Sequence, residues 1–350
     1  MSDFFPALRS VLAGKQPDAA AITALLSARD DEAKELFAAA DAARRAGVGD
    51  EVHLRAIIEF SSHCRQNCLY CGLRRDNRAL ARYRLNREQI IAAVDEAASL
   101  GFKTVVLQSG EDVYYTAGAL ARLVEFIKRK YDLAVTLSVG QRHRLEYALW
   151  RQAGADRYLL KHETADEELF RRLKPGSSLA ERLRCLYWLK ELGYQVGSGN
   201  MVGLPGQSLE ALAKDIILLR ELAVEMAGVG PFLPHQNTPL KDAPPGSLEL
   251  TRKVLAVTRL CLPRAHLPAT TSLSTLSSDG RRLALVSGAN VVMPNLTPPE
   301  VKGKYLIYPQ KADITERPRQ ALDRISLLLA GMNRPIARGC GHAIKYVYIQ

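Results

Sequence analysis

Apolar and polar positions follow two different patterns along the chain. Up to residue 50, apolar residues recur at intervals of three and four, as at Ile22, Leu25 and Leu26, which predicts amphipathic helices. From Val52 onward, short β-rich runs alternate with longer amphipathic stretches. The pattern therefore predicts a helical extension over residues 1–50, followed by a domain of repeated βα units.

Eight of the short runs have the length and composition of strands, and a helical stretch fills nearly every gap between them. The predicted strands are 54–60, 104–108, 134–139, 157–161, 195–202, 227–232, 267–272 and 290–294. The predicted helices are 87–100, 117–131, 145–153, 179–192, 209–222 and 250–261. This order favours an α/β fold of the (β/α)8 TIM-barrel type. A doubly wound sheet is the alternative, but it would need more strands than usual.

The barrel is predicted to span residues 51–296, and residues 297–350 to form a closing segment of the same domain. That segment begins irregularly, continues with a final helix over 320–330 and ends in a short basic tail. With 350 residues, 47% of them apolar, the chain can bury one large core. No run approaches the roughly 18 to 20 apolar residues of a membrane span, and no cleavable signal opens the chain, so we expect a cytoplasmic protein.

The net charge of +11 raises the question of nucleic-acid binding. Lysines and arginines are interleaved with acidic residues along the predicted helices, which is typical of solvated faces and argues against such a partner. One denser basic run follows the first strand: Arg74, Arg75, Arg78, Arg82, Arg84 and Arg87. Such a run also suits an anionic metal complex or an acidic protein, and it is a candidate docking patch.

Three of the six cysteines lie within eight positions, directly after the first predicted strand. Cys64, Cys68 and Cys71 form a C-x3-C-x2-C motif on a loop at the end of the barrel where active sites are built. Three thiolates on one loop can hold three corners of a 4Fe-4S cluster and leave the fourth iron open to a chelating ligand. Structural zinc is the alternative, but it needs four ligands, and no second Cys or His pair follows at zinc-finger spacing.

The motif resembles the signature of the radical S-adenosylmethionine (SAM) superfamily, C-x3-C-x-aromatic-C, with Tyr70 in the aromatic place. The resemblance implies one 4Fe-4S cluster on Cys64, Cys68 and Cys71, whose open iron binds SAM. It further implies that one electron from the cluster cleaves SAM to methionine and a 5′-deoxyadenosyl radical. The cofactors supply this chemistry, and the protein orients them and excludes water.

Residues that follow later strands lie where the resemblance implies contacts with SAM. The segment 108–112 resembles the family's GGE segment, whose backbone and acidic side chain meet the methionine ammonium. The implied SAM-binding residues are Tyr70, Ser109, Gly110, Glu111, Glu163, Arg182, Met201 and Tyr305. Among them Glu163 would bind the ribose hydroxyls and Arg182 the SAM carboxylate. Each assignment has an ordinary alternative: 108–112 as a generic polar loop, Arg182 as an exposed helical arginine, and the glycines of 199–207 as a tight strand-to-helix turn.

Longer stretches resemble the FeFe-hydrogenase maturase family HydE, which is related to biotin synthase and to the methylornithine synthase PylB. These stretches are 58–77, 106–112, 153–164, 201–207, 268–271 and 290–295. The resemblance implies a monomeric barrel that helps to assemble the di-iron subcluster of FeFe-hydrogenase, after the tyrosine lyase HydG and before the scaffold HydF. The implied substrate is an iron complex of cysteine carrying CO and cyanide, attacked at sulfur by the adenosyl radical.

A small anionic substrate calls for fixed positive charge and hydrogen-bond donors inside the barrel. The resemblance implies a lining of Gln108, Thr136, Arg157, Lys161, Thr270, Thr271 and Tyr308, with Tyr305 nearby. Ordinary packing of inward-facing strand residues is the alternative. Lys161 stands where the family often has arginine, so the charge is kept but a bidentate fork is lost.

The remaining cysteines limit the number of clusters. Some HydE proteins have a C-terminal cysteine trio for an accessory cluster, but residues 311–328 contain no cysteine, so we predict a single cluster. Three alternatives remain: a PylB-like mutase, a biotin-synthase-like sulfur inserter, and a non-catalytic iron–sulfur or zinc scaffold. The inserter is weaker than the mutase, because it needs ligands for a second cluster. Any radical SAM enzyme would also need a reducing electron donor.

Overall fold

The computed structural model describes residues 3–311 and 314–344. Within these ranges the strands are short and pair in parallel. They are β1 (His53–Leu54), β2 (Ala56–Ser61), β3 (Thr104–Ser109), β4 (Ala134–Ser138), β5 (Arg157–Leu159), β6 (Gln195–Ser198), β7 (Met201–Val202), β8 (Met226–Ala227), β9 (Gly230–Pro231) and β10 (Val291–Val292).

The sheet closes on itself. Strands β2, β3, β4, β5, β6 and β8 form one parallel sheet in that order, and β10 pairs with β1. Between β8 and β10 the connection is made by single bridges, Met226 to His266 and Pro268 to Val291. This gives eight barrel positions in chain order and confirms the predicted (β/α) barrel fold.

Helices surround the barrel and precede it. They are α1 (Phe4–Leu12), α2 (Ala19–Leu26), α3 (Asp30–Val48), α4 (Arg87–Ser99), α5 (Ala117–Lys130), α6 (Arg144–Gln152), α7 (Glu167–Leu173), α8 (Leu179–Glu191), α9 (Leu209–Glu221), α10 (Leu248–Cys261), α11 (Thr271–Leu276), α12 (Gly280–Leu285), α13 (Pro299–Lys302) and α14 (Pro318–Gly331). In the described part of the chain, no helix combines the length and apolarity needed to cross a membrane.

The N-terminal helices are fastened to one side of the barrel. Helix α2 packs against α9 and α3 packs against α10, and their apolar side chains join the core of the barrel. Two hydrogen bonds secure this contact: Arg220 donates to the Pro17 carbonyl at 2.7 Å, and Lys253 donates to the Ala28 carbonyl at 2.8 Å. Burial of the apolar faces supplies most of the attachment.

Some predicted boundaries differ from the structure. The seventh predicted strand, 267–272, contains only the bridge at Pro268, and α11 begins at Thr271. Helix α7 lies in a stretch where no helix was expected. Its sequence is short and highly charged, so it carries little helical periodicity, but Asp166 caps its first turn by accepting from the Leu169 amide at 2.9 Å.

The end of the barrel where the strands begin is closed by residues 333–344, the C-terminal tail. Val52 makes a parallel bridge with Ile336. Arg157 donates a hydrogen bond to the Cys340 carbonyl at 2.8 Å, and Thr104 donates to the same oxygen at 3.0 Å. The tail therefore blocks the lower end of the barrel, and the opposite end is left for a ligand.

Candidate active site

A cavity of about 380 Å³ opens at the end of the barrel where the strands finish. All three motif cysteines and all the predicted SAM-contacting residues line it: Cys64, Cys68, Cys71, Tyr70, Ser109, Gly110, Glu111, Glu163, Arg182, Met201 and Tyr305. Residues from at least five barrel positions thus converge on one space. Because parallel strands end at the same edge, their following loops meet there.

The cysteines lie on the connection between β2 and α4, residues 62–86, here called the cysteine loop. Cys68 is buried, and Cys64 and Cys71 are partly buried. Burial raises the pKa of the Cys64 thiol to about 11, and it raises the pKa of the Cys71 thiol further. Such thiols stay protonated at neutral pH unless a cation or a metal stabilises their thiolates, so these positions suit metal ligation.

The described residues contain no group of three or more His, Cys, Asp or Glu side chains placed to hold a single metal ion. In a 4Fe-4S cluster, different cysteines bind different irons, so the three thiolates need not converge on one point. The donor set of three thiols facing one cavity, on one loop, fits such a cluster. The Glu111 amide donates to the Cys64 sulfur at 3.3 Å, which ties the loop to the end of β3.

Two arginines of the basic run organise the cysteine loop. Arg82 donates to four carbonyls within or beside the loop, among them those of Ser62 at 2.6 Å and Arg74 at 2.7 Å. Arg84 binds Asp112 through two hydrogen bonds of 2.7 and 3.0 Å. Burial alone would raise the pKa of Asp112, but hydrogen bonds from Arg84 and Ser61 hold it below its usual range. These two arginines are therefore engaged within the chain.

Glu111 and Arg182 are joined in a network beside the cysteines. Arg182 lies 3.7 Å from a Glu111 oxygen and donates to the Lys161 carbonyl at 3.0 Å. Gln66 of the cysteine loop donates to the other Glu111 oxygen at 2.7 Å. The Arg182 Nε is buried with no hydrogen-bond partner among the described residues. An incompletely paired guanidinium facing a cavity is suited to an anionic ligand.

Gly140 makes room for the Glu111 side chain. Its φ is +78°, and a Cβ at this position would lie 1.9 Å from Glu111 Cγ. Only glycine combines this backbone conformation with such a close approach. The sequence motif identified Glu111. No sequence pattern indicated that Gly140, which follows the next strand β4, is needed beside it.

Glu163 has a strained backbone. Its φ of +71° lies in the left-handed region, which is rare for a residue with a side chain. Hydrogen bonds of 2.9 Å on both sides, from its amide to the Gly199 carbonyl and from the Met201 amide to its own carbonyl, hold this conformation. Strain maintained in this way at a cavity is typical of a functional residue.

A buried carboxylate supports the Glu163 turn from behind. Asp215 accepts from the Ala165 amide and, at 3.1 Å, from the Asn200 side chain. Burial raises the pKa of Asp215 despite these hydrogen bonds. Asp215 was not predicted from the sequence, because a single aspartate on an amphipathic helix carries no recognisable signal.

The segment after α13 covers part of the cavity. The Gly72 amide donates to the Ile307 carbonyl at 2.9 Å, and Lys311 pairs with the buried carboxylate of Glu59 inside the barrel. Lys311 also lies 5.2 Å from the centre of the Tyr305 ring. Glu59 and Lys311 were not predicted as site residues, although both line the cavity.

The predicted substrate residues divide into two groups. Those that line the cavity are Gln108, Lys161, Thr270, Thr271 and Tyr308. The structure does not bring Thr136 and Arg157 to it. Arg157 lies at the start of β5 and bonds to the C-terminal tail, and Thr136 is its partner in register on β4. Arg157 lies at the lower end because it begins its strand, and Thr136 lies midway along β4.

The other three cysteines lie away from the cavity. Cys185 is buried on α8 and Cys261 on α10, in the helical layer. Cys340 lies in the C-terminal tail. Among the described residues, the cavity-lining cysteines are therefore those of the motif alone.

Known protein families and curated sequences resemble the chain in a consistent way. The family model described as Radical SAM superfamily matches residues 58–219. The chain is 48% identical over 306 residues to the FeFe-hydrogenase maturase subunit HydE of Thermotoga maritima, covering 87% of this chain and 88% of that protein. It is 31% identical over 274 residues to the 3-methylornithine synthase of Methanosarcina acetivorans, covering 77% of each.

Solved structures of two proteins resemble the fold over nearly the whole chain. The methylornithine synthase PylB superposes with a TM-score of 0.83 at 28% identity, covering 95% of this chain and 97% of that one. The maturase HydG from Carboxydothermus hydrogenoformans superposes with a TM-score of 0.80 at 19% identity, covering 94% of this chain and 78% of that one. At that identity, the likeness to HydG concerns the fold alone.

Proposed function

The chain belongs to the HydE family within the radical SAM superfamily, and on that premise we propose that it cleaves SAM reductively to help assemble the di-iron subcluster of FeFe-hydrogenase. The observation that carries the proposal is the convergence of Cys64, Cys68 and Cys71 with Glu111, Glu163 and Arg182 on one cavity. The 48% identity to a HydE protein over most of both chains supports the maturation role.

The three thiolates would hold one 4Fe-4S cluster. When bound, that group supplies the electron that splits SAM into methionine and a 5′-deoxyadenosyl radical. The protein fixes the ligands on one braced loop, which Arg82 and the Glu111 amide hold in place. Tyr70 and Met201 pack beside the loop on the apolar cluster of Leu169, Leu173, Leu204 and Phe232, which keeps water from this side of the cavity.

Charged residues that follow two barrel strands, β3 and β5, would orient SAM. The Arg182 guanidinium would bind its carboxylate, and Glu111 would bind its ammonium group. Glu163, held in its strained turn, is placed to accept hydrogen bonds from the ribose hydroxyls. Gly110 lets the end of β3 pack closely on the cysteine loop, since a Cβ there would lie 2.2 Å from the His63 carbonyl oxygen, and with Ser109 it would contact SAM.

The substrate would occupy the space below SAM as a small anionic iron complex of cysteine. Lys161 supplies positive charge there, and Gln108, Thr270, Thr271 and Tyr308 supply hydrogen-bonding groups. Lys161 lies 3.6 Å from Glu163, so its charge is shared between the substrate space and the SAM site. HydG and HydF are the proposed partners in the assembly sequence, with this chain acting as a monomer.

A 3-methylornithine synthase activity is the second candidate, because PylB shares both the fold and 28% of aligned residues. The two activities act on different substrates, so an assay of hydrogenase maturation and an assay of 3-methylornithine formation distinguish them. An inserter of sulfur would need ligands for a second cluster, and among the described residues no further cysteine lines the cavity.

The test uses anaerobically reconstituted full-length chain with SAM and a strong reductant. We expect release of 5′-deoxyadenosine from the wild type and its loss from Cys68→Ala, because the variant lacks one of the three thiolates. Cys185→Ala, a buried cysteine in the helical layer, is the matched control and should retain both iron and turnover.

The maturation role is tested by supplying the gene to a strain that lacks its own HydE gene. We expect active FeFe-hydrogenase with the wild type and none with Cys68→Ala. Cleavage of SAM without any hydrogenase activity, combined with formation of 3-methylornithine, would establish the second candidate instead. If protein with a full complement of iron does not cleave SAM, the result would favour the alternative of a non-catalytic iron–sulfur scaffold.

A further inference from the structure

A buried lysine lies against one of the motif cysteines. Lys174 is the residue after α7, and its side chain lines the cavity with 5% of its surface exposed. Its Nζ lies 3.3 Å from the Cys68 sulfur, at hydrogen-bond distance. It belongs to none of the motifs that identify the site, and it is 106 positions away from Cys68 in sequence.

The surroundings of Lys174 hold it in this place. Its amide donates to the Phe170 carbonyl at 2.9 Å, and the Leu69 amide of the cysteine loop donates to the Leu173 carbonyl at 2.9 Å. Its Nζ lies 5.9 Å from the centre of the Tyr70 ring and 5.8 Å from that of Phe170. The helix end, the loop and two aromatic rings therefore fix the ammonium beside the sulfur.

This ammonium has no carboxylate partner within 4.0 Å among the described residues. Two other buried lysines of the chain do: Lys311 pairs with Glu59, and Lys253 lies 3.0 Å from Glu249. A buried charge without a counter-ion is costly, and proteins retain one where an anion completes the site. The nearest candidate for that anion is the Cys68 thiolate together with whatever it binds.

A 4Fe-4S cluster on three thiolates is an anion, and its negative charge increases when it accepts an electron. Net charge and hydrogen bonds to the sulfurs are among the factors that set its reduction potential. Because the ammonium stabilises the more negative state more strongly, it favours the reduced form. We propose that Lys174 is a positioning and tuning residue, which raises the reduction potential of the cluster through a charge-assisted hydrogen bond to the Cys68 sulfur.

This inference rests on the proposed function, since it requires that the cysteines hold a cluster. The test measures the cluster itself, in full-length chain without SAM, by a redox titration monitored by electron paramagnetic resonance. Iron and sulfide content are measured on the same samples. Three variants are compared with the wild type: Lys174→Met, which removes the charge; Lys174→Arg, which keeps it; and Lys253→Met, a buried lysine outside the cavity.

We expect Lys174→Met to lower the equilibrium constant for one-electron reduction about tenfold, the order of a hydrogen bond to a charged group, which corresponds to about 59 mV. Lys174→Arg should recover most of this loss, and Lys253→Met should leave the potential unchanged. Loss of iron from Lys174→Met with retention in Lys174→Arg would equally support a charge-balancing role.

An unchanged potential in iron-replete Lys174→Met would overturn the inference while leaving the proposed function intact. Equal loss of iron from the Met and Arg variants, with circular dichroism showing both folded, would overturn it as well, since the lysine would then matter for shape alone. A wild-type chain that takes up no cluster would remove the proposed function, and the inference with it.

Discussion

The two ends of the barrel contain buried cations in opposite situations. At the lower end, Arg157 is saturated by groups of the chain itself: the Cys340 carbonyl, His342, Thr104 and Gln195. At the upper end, where the strands finish and the cavity opens, Lys174 faces the Cys68 thiol. There Arg182 has a buried nitrogen without a partner among the described residues. Each nitrogen of Arg157 thus has a partner within the chain, whereas Lys174 and Arg182 would gain their missing partners from ligands.

Left-handed backbone is found at both ends of the barrel. Glu163 at the upper end adopts a left-handed backbone conformation, and Gly140 is required by the approach of Glu111. At the lower end, the C-terminal tail meets the strands through backbone hydrogen bonds, such as the one from the Val52 amide to the Pro335 carbonyl at 2.8 Å. Asn333 and Gly341 of the tail also have positive φ, so what sets the upper end apart is that its strained residue, Glu163, lines the cavity.

The largest effect is expected from a methyl group at the upper end. Gly140→Ala would place a Cβ 1.9 Å from Glu111 Cγ, so the carboxylate must move. A shift of about 1 Å in a binding group can cost roughly 100-fold in rate. We expect a loss of SAM cleavage of that order, measured as release of 5′-deoxyadenosine by iron-replete protein.

Gly193→Ala is the matched control for Gly140→Ala. Gly193 also has a φ of +78°, but no atom lies closer than 4.0 Å to the position that a Cβ would occupy. This substitution should therefore destabilise the fold by roughly 1 kcal/mol through backbone strain and leave SAM cleavage intact. Equal loss of activity in both variants would show that strain, and not the displacement of Glu111, is responsible.

A smaller effect is expected at the lower end from Arg157→Met. The change removes a buried guanidinium whose hydrogen bonds join β5 to the C-terminal tail, including the 2.8 Å bond to the Cys340 carbonyl. We expect the free energy of unfolding to fall by about 2 to 3 kcal/mol, measured by chemical denaturation, with SAM cleavage unchanged at low temperature.

Arg157 was also predicted to contact substrate, and the same variant tests that role. Unchanged stability together with a loss of hydrogenase maturation would assign Arg157 to the substrate and break the contrast between the two ends. Lys161→Met serves as the comparison variant for loss of a cation at the proposed substrate site, since the Lys161 side chain lines the cavity.

The smallest expected effect is on how the free energy of unfolding depends on pH. Burial, followed by the nearby charges of Arg55 and Arg157, lowers the pKa of His53 to about 4, from an unfolded value of 6.5. Between these values the unfolded chain binds a proton that the folded chain does not, so the free energy of unfolding decreases as the pH falls from 6.5 towards 4. His53→Phe should make this decrease shallower, measured by denaturation at about pH 7 and about pH 5.

His266, whose ring lies 4.9 Å from that of His53, also contributes to the pH dependence at this end. Burial lowers the pKa of His266 as well, so it acts in the same direction. An identical pH dependence in His53→Phe and the wild type would mean that His53 titrates normally in the folded chain.

The amino-acid sequence by itself determined the βα order, and with it the barrel, because periodicity of apolar residues is a local property that each segment expresses independently. It also identified the proposed cluster ligands: Cys64, Cys68 and Cys71 are close in sequence, so one loop brings them together whatever the rest of the chain does. The proposed SAM residues Glu111, Glu163 and Arg182 came from the family resemblance, and their convergence followed from the fold class.

Only the tertiary structure decided which distant residues complete these groups. Lys174 reaches Cys68 across 106 positions, Arg157 reaches Cys340 across 183, and Lys311 reaches Glu59 across 252. Such pairs depend on closure of the barrel and on the path of the C-terminal tail, which no local pattern encodes. A lone lysine or arginine in a sequence is usually a solvated side chain, and burial opposite a specific partner is what distinguishes the exceptions.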